Sequence, residues 1–278
     1  MADVKVRLPV RSDMGAIATH PPPQSRIFLD TLRNEITQAR NWPKLPDPNY
    51  AVRPDMIRPG WLFPVLYATE SLCWGRWFWH TQAWARMKLP EEPIPPIEIL
   101  SQPDKHALKM LQAALDAIPL HGSWRAWSSW SYLDYFLDWL LFAFGHIKHP
   151  PHEPEKGAYD RVYQSFCLEA LIAWPHDYIG DIMAENQHGR HVGFYPTPHD
   201  LVELVVSVNF ASDQNENDIR TRTVCDPCVG TGRKLLHASN HSVCLYGQDI
   251  NPTCVKATLV NGYLYAPWLV KPFSWLRR

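Results

Sequence analysis

The run from Gly193 to Pro252 constrains this 278-residue chain more than any other stretch. Three short signals arrive there in order. Gly193-Phe194-Tyr195-Pro196-Thr197-Pro198 precedes an apolar segment of helical spacing, His199 to Phe210. Val224-Cys225-Asp226-Pro227-Cys228-Val229-Gly230-Thr231-Gly232 reads as a strand entering a glycine turn, followed by helix-like sequence from Arg233 to Ser239. Val243 to Gly247 reads as a second strand, closing on Gln248-Asp249-Ile250-Asn251-Pro252. Strand, glycine turn, helix, strand and acid make up half of a nucleotide-binding α/β unit.

This order has a chemical logic. Gly230 and Gly232 let the backbone turn sharply and let a ligand approach without meeting a Cβ. The following helix points its positive N-terminus at that place. Asp249 ends the second strand, where an acid can accept hydrogen bonds from both hydroxyls of a ribose. Leu235 follows Lys234 where a P-loop needs Ser or Thr for magnesium, and the glycine spacing differs, so no triphosphate site is implied. Leu235 also stands where the dinucleotide fingerprint has its third glycine.

With these motifs in hand, residues 177–262 resemble the S-adenosylmethionine-dependent adenine DNA methyltransferases of the gamma order. That group includes modification subunits of type I restriction systems and phage methylases. Four elements carry the resemblance: the acidic, glycine-containing Asp177-Tyr178-Ile179-Gly180-Asp181-Ile182; Gly193 to Pro198, with Pro196 inserted before Thr197; Asp226-Pro227 to Gly232; and Gly247 to Pro252. The resemblance implies that Tyr195, Thr197 and Pro198 line the methionine end of the cofactor. Asp226, with Pro227 in its motif, and Gly230 to Gly232 would hold the amino-acid portion, Asp249 the ribose, and Ile250 would lie against the adenine. The family's next element, Asn/Asp-Pro-Pro-(Tyr/Phe), holds the target amine and stacks the extruded base. It does not occur here; the nearest candidates, Ala266-Pro267-Trp268 and Lys271-Pro272-Phe273, lack the Asn or Asp.

Upstream the sequence reads as helical. Residues 1–25, ending in a proline run, are expected to form a flexible arm. Helices are expected over 26–40, 66–88, 101–118, 123–146, 159–174 and 178–185, with proline-rich breaks at 43–64 and 89–103. The expected class is α/β: a partial Rossmann-like methyltransferase sheet in a truncated cofactor-binding domain, 177–278, preceded by a tryptophan-rich helical region, 26–176. Tyr263 to Val270 could be a third strand or a docking peptide, so residues 263–278 are the expected meeting place with another chain or a second copy.

Composition narrows the choices. Net charge is −1, and residues 190–278 carry nine Lys/Arg against seven Asp/Glu, so charge gives no support to DNA binding. The longest apolar stretch, Trp139 to Phe144, is far too short to span a membrane, and no signal peptide is visible; a cytoplasmic protein is expected. Cys225-x-x-Cys228 invites a zinc or redox reading, but no second pair follows, and buried reduced thiols without a metal are expected. His146, His149 and His152 are three apart, yet the prolines between the last two break the helix, which favours solvated histidines. Thirteen tryptophans could stack on nucleic-acid bases, but helical spacing favours packing.

Three functional readings follow. One is a non-catalytic, S-adenosylmethionine-binding member of the methyltransferase family acting in a larger assembly. Another is an active adenine methyltransferase completed by a partner chain or a diverged segment. A third, an NAD-binding enzyme, explains the glycine turn and Asp249 but not Thr197-Pro198.

Overall fold

The computed structural model describes residues 26–38, 58–125, 129–186, 194–211 and 216–276. The arm expected over 1–25, as well as Gly193 and Arg277-Arg278, lie outside them. Helices dominate: α1 (Arg26–Gln38), α2 (Phe63–Cys73), α3 (Arg76–Arg86), α4 (Lys105–Asp116), α5 (Ser129–Ala143), α6 (Ala158–Ser165), α7 (Leu168–Ala173) and α8 (Tyr178–Glu185). There follow α9 (His199–Phe210), α10 (Glu216–Thr221), β1 (Val224–Asp226), α11 (Arg233–Ala238), β2 (Leu245–Gly247), α12 (Pro252–Tyr265) and α13 (Pro267–Val270). The strands pair in parallel, Val224 with Leu245 and Asp226 with Gly247, and form a two-stranded sheet.

Two expected long helices are each divided. The periodicity over 66–88 continues across Gly75, but Gly75 is left-handed at φ 78° and starts a new helix. Glu70, fully buried, accepts the amides of Arg76 at 3.1 Å and Trp77 at 2.8 Å and so caps that start. The 159–174 pattern breaks at Phe166-Cys167, both extended. The helices α1, α4, α5, α8, α9 and α11 fall within the expected spans, whereas α10 was not expected, and Asp104 caps α4 through the amides of His106 and Ala107.

The tail differs from expectation. Tyr263 and Tyr265 end α12, Trp268 lies in α13, and all three are fully buried. Residues 263–268 are therefore core, unable to act as a third strand or to meet another chain. Asn251 caps α12 by accepting the amide of Thr253 at 3.0 Å, and Pro252 takes the first helical position, where its missing N–H costs nothing.

One apolar cluster joins the upstream helices to α12, with Trp77, Trp139, Phe136, Tyr178, Ala257 and Tyr263 among its members. Tryptophan is mostly packing here. Trp124, Trp139 and Trp268 are fully buried, and the Trp77 indole N–H donates to the Tyr263 carbonyl at 2.8 Å. The proline-rich segment 89–103 is stitched to the C-terminal unit: Ile97 exchanges two 2.9 Å bonds with the Asn240 side chain, and Arg220 donates to Pro90.

Candidate functional site

At the carboxyl ends of β1 and β2 the backbone pairing extends into the loops: Gln248 donates to Asp226 at 3.1 Å and Val229 to Gln248 at 2.9 Å. This draws the glycine turn against the Asp249 loop. Asp249 Oδ2 accepts the Gly230 amide at 2.9 Å, and its Oδ1 accepts the Asn251 amide at 2.9 Å. Each carboxylate oxygen can accept a second hydrogen bond.

Gly230 and Gly232 both have positive φ, 56° and 89°. A Cβ on Gly232 would come within 3.1 Å of Thr258 on α12, and one on Gly230 within 3.4 Å of the Phe194 ring. The clearance at Gly232 thus serves the seating of α12. Thr258 in turn donates its hydroxyl to the Gly230 carbonyl at 2.8 Å.

A cavity of about 250 Å³ lies over the turn, lined by Phe194 to Thr197, Cys228 to Thr231, Arg233, Lys234, Asp249, Asn251 and Cys254. It brings together five of the residues singled out from sequence: Tyr195, Thr197, Gly230, Thr231 and Asp249. The other five do not line it. Pro198 precedes α9, Gly232 faces α12, and Ile250 projects into solvent at 88% exposure. Asp226 is buried, accepting the Cys228 amide at 3.2 Å and pairing with Lys234 at 3.1 Å; with Pro227 it lines a separate pocket beside β1.

Beneath the turn lies a charged cluster centred on Asp177. Its Oδ1 accepts the Gly180 amide at 3.0 Å and the Asn261 amide group at 2.8 Å. Its Oδ2 accepts the Thr231 hydroxyl at 2.5 Å and Arg233 Nε at 3.0 Å. Arg233 also donates to the Thr197 carbonyl at 3.0 Å and to Asp181 at 2.6 Å. One guanidinium therefore holds α8, the Tyr195–Pro198 segment and the glycine turn in register. Burial opposes charge on Asp181, but the His176 hydrogen bond at 2.7 Å and the Arg233 charge outweigh it and keep its carboxyl below the ordinary range.

His199 stacks on His176 with ring centroids 4.5 Å apart, and neither of its nitrogens has a partner. Burial, reinforced by Arg233, pushes its pKa down to about 4. His176, Asp181 and His199 offer ligand atoms within 4.8 Å of one another. Arg233 already occupies Asp181, and both nitrogens of His176 are engaged, so the set is poorly suited to a cation. Cys225, in the middle of β1, and Cys228, in the glycine turn, are both exposed, contrary to the expectation of burial; the other four cysteines are buried. His146, His149 and His152 are exposed.

The family model for N-6 DNA methylase matches residues 177–266. Comparisons with curated proteins and with solved structures found no match. The methylase resemblance read from the motifs therefore stands for this segment, roughly a third of the chain. Its limits have a structural meaning: Asp177 is the hub of the cluster beneath the turn, and Ala266 directly follows α12. Within the methylase segment, sequence reading missed Arg233, Thr258 and Asn261 as organisers. The available signal was Asn251-Pro252, a helix start that places Thr258 and Asn261 one turn apart on α12.

Proposed function

We propose that the methylase-like segment binds S-adenosylmethionine over the glycine turn, as the cofactor half of a Rossmann-like adenine methyltransferase unit within a DNA-modification assembly. The observation that carries this reading is the convergence of Tyr195, Thr197, Gly230 and Asp249 on one cavity, with Asp249 fixed by two main-chain amides and still able to accept from a ribose. In this reading Asp249 receives the ribose hydroxyls, and Tyr195 and Thr197 flank the methionine end. Gly230 gives the amino-acid portion close access. Pro198, Asp226, Pro227 and Gly232 act one layer back, by shaping the segment and the turn. Ile250 is well exposed beside Asp249, so it can fold over an adenine ring when one is bound.

The cofactor would supply an electrophilic methyl group. The chain's own residues bind and orient it. The 278 residues contain no Asn/Asp-Pro-Pro-aromatic element to hold an adenine amine, so transfer to DNA is proposed to require a diverged segment or a group from outside these residues. Isothermal titration of the purified chain with S-adenosylmethionine, S-adenosylhomocysteine and NAD tests the reading. Heat with the first two and none with NAD is expected; binding of NAD alone would overturn it.

A further inference from the structure

A second cavity lies away from the glycine turn. It encloses about 740 Å³ between α2, α3 and the tail that follows α13, and no residue lines both cavities. The two sit at opposite ends of α12. Asn251 and Cys254, at its start, line the cavity over the turn, whereas Tyr263, near its end, stacks on Trp77 of the second with ring centroids 6.1 Å apart. A helix of 14 residues puts roughly 20 Å between its ends.

The walls of this second cavity are aromatic: Phe63, Tyr67, Trp77 and Trp84. Trp77 is buried, but Trp84 is 36% exposed. Trp84 meets Trp275 edge-on at 4.9 Å, and Phe273 and His80 lie tilted to it, so no ring among the described residues stacks parallel on its face. His80 Nε2 lies 2.6 Å from the Lys271 carbonyl and carries the proton it donates there. That nitrogen then has no lone pair for the Trp84 indole N–H, 3.2 Å away, which is left without an acceptor.

One cation overlooks these rings. Lys271 is exposed, forms no ion pair among the described residues and is the only charged side chain of the lining. Burial, with the Lys271 charge added, lowers the pKa of His80 to about 4 and lowers that of His146 as well; no carboxylate opposes it at either ring. Aromatic walls with a single unmatched positive charge select a flat heteroaromatic group tied to one negative charge. A quaternary ammonium, which aromatic walls also attract, is repelled by Lys271. A terminal phosphate carries nearly two charges and calls for more donors than one ammonium offers. A phosphodiester carries one.

We propose that this cavity binds a nucleobase linked to a single phosphodiester, with the base stacked on Trp84 and the diester paired with Lys271. Two sources share that chemistry: an unpaired nucleotide within a strand, and a cyclic mononucleotide. Binding here is independent of the cavity over the glycine turn.

Titration calorimetry of the full chain with an eight-nucleotide oligothymidylate, with 3′,5′-cyclic thymidine monophosphate and with thymidine tests this. Thymine ligands keep the measurement clear of a cavity proposed for an adenosine-containing cofactor. At least one diester is expected to bind, with thymidine roughly tenfold weaker or more; the tighter of the two diesters identifies the source. Trp84→Ala should weaken that diester roughly five- to a hundredfold. Lys271→Gln should reduce it to the affinity of thymidine. The Lys271 side chain holds nothing within the protein, so that variant decides the matter even where Trp84→Ala lowers the melting temperature. Failure of both diesters to bind, thymidine matching them, or affinity indifferent to both substitutions would each overturn the proposal. So would a proline-rich peptide that binds where neither diester does.

Discussion

Asp177 and Arg233, 56 residues apart in sequence, meet at 3.0 Å through Oδ2 and Nε in the interior, where Asp177 has no exposed surface. Three further donors saturate the carboxylate: Gly180, Thr231 and Asn261. Removing one partner of a buried ion pair costs about 3–5 kcal/mol, because the other charge is left without compensation. Arg233 retains Asp181, so the expected loss for Asp177→Ala is about 3 kcal/mol in urea unfolding. A loss below about 1 kcal/mol would show that the cluster does not hold the segment together.

Gly180→Ala separates two opposing effects. Alanine favours a helix interior over glycine by about 1 kcal/mol, which alone predicts a more stable protein. A Cβ at this position, however, would lie 2.7 Å from the Thr231 hydroxyl and would press into the Asp177 carboxylate. Overpacking of this kind typically costs about 1–3 kcal/mol, so a net loss is expected. Calorimetry reads the sign directly, and a raised melting temperature would contradict the packing described.

Which features were legible in sequence follows from their range. Gly230, Gly232 and Asp249 were readable because a strand–turn–strand unit is built from near neighbours, and the parallel pairing of β1 with β2 follows from that order. Glu70 was not, since its burial comes from capping a helix that begins six residues later. Arg233 looked like an ordinary cation after a glycine turn; its partners at 177, 181 and 197 belong to other elements. The tail was misread because Tyr263 to Val270 is apolar throughout, and such a run does not distinguish a buried helix from a strand. The capping pair Asn251-Pro252 carried the missing information. Asp226 and Ile250 had recognisable positions in the motifs, but exposure depends on neighbours that the motifs do not include.

Arg76 links the helical region to the C-terminal unit. It is fully buried at the start of α3, donates to the Ser239 hydroxyl at 3.0 Å, the Ser239 carbonyl at 2.6 Å and the Tyr265 carbonyl, and sits 4.4 Å over the Trp268 ring. Burial pulls its pKa down to about 9. Arg76→Ala should cost about 3 kcal/mol or more by orphaning buried carbonyls, which in a chain of this size lowers the melting temperature by roughly 6–12 °C. Arg76→Lys should recover little of it, because a single ammonium lacks the fork that spans Ser239 and Tyr265. Full rescue by lysine would show that charge alone matters there.

His199 gives the fold a dependence on acid. Its pKa of about 4 in the folded chain lies below the ordinary 6.5, so between these values the unfolded chain holds the proton and the folded chain does not. The stability linked to this group is therefore complete above pH 6.5 and is lost as the pH falls towards 4. His199→Phe should keep the stack on His176 while removing the titration. The variant is expected to lose about 1–2 kcal/mol less than the wild type between pH 7 and pH 4.5. Parallel unfolding curves for the two proteins across that range would rule out His199 as the source.

Asp249 tests the proposed site while separating binding from loop geometry. Asp249→Ala removes the acceptor proposed for the ribose and also frees the amides of Gly230 and Asn251, so it combines two losses. Asp249→Asn is the sharper variant. Its remaining carbonyl oxygen can still accept one of the two amides, but the charge is gone. Losing a charge-assisted hydrogen bond costs about 1.5–3 kcal/mol, or roughly ten- to a hundredfold in the dissociation constant for S-adenosylmethionine. Titration calorimetry should find that loss in both variants, with unfolding stability reduced more in the alanine variant. Equal affinity for wild type and Asp249→Asn would mean that the carboxylate serves the loop alone and that the ribose, if it binds, is held elsewhere.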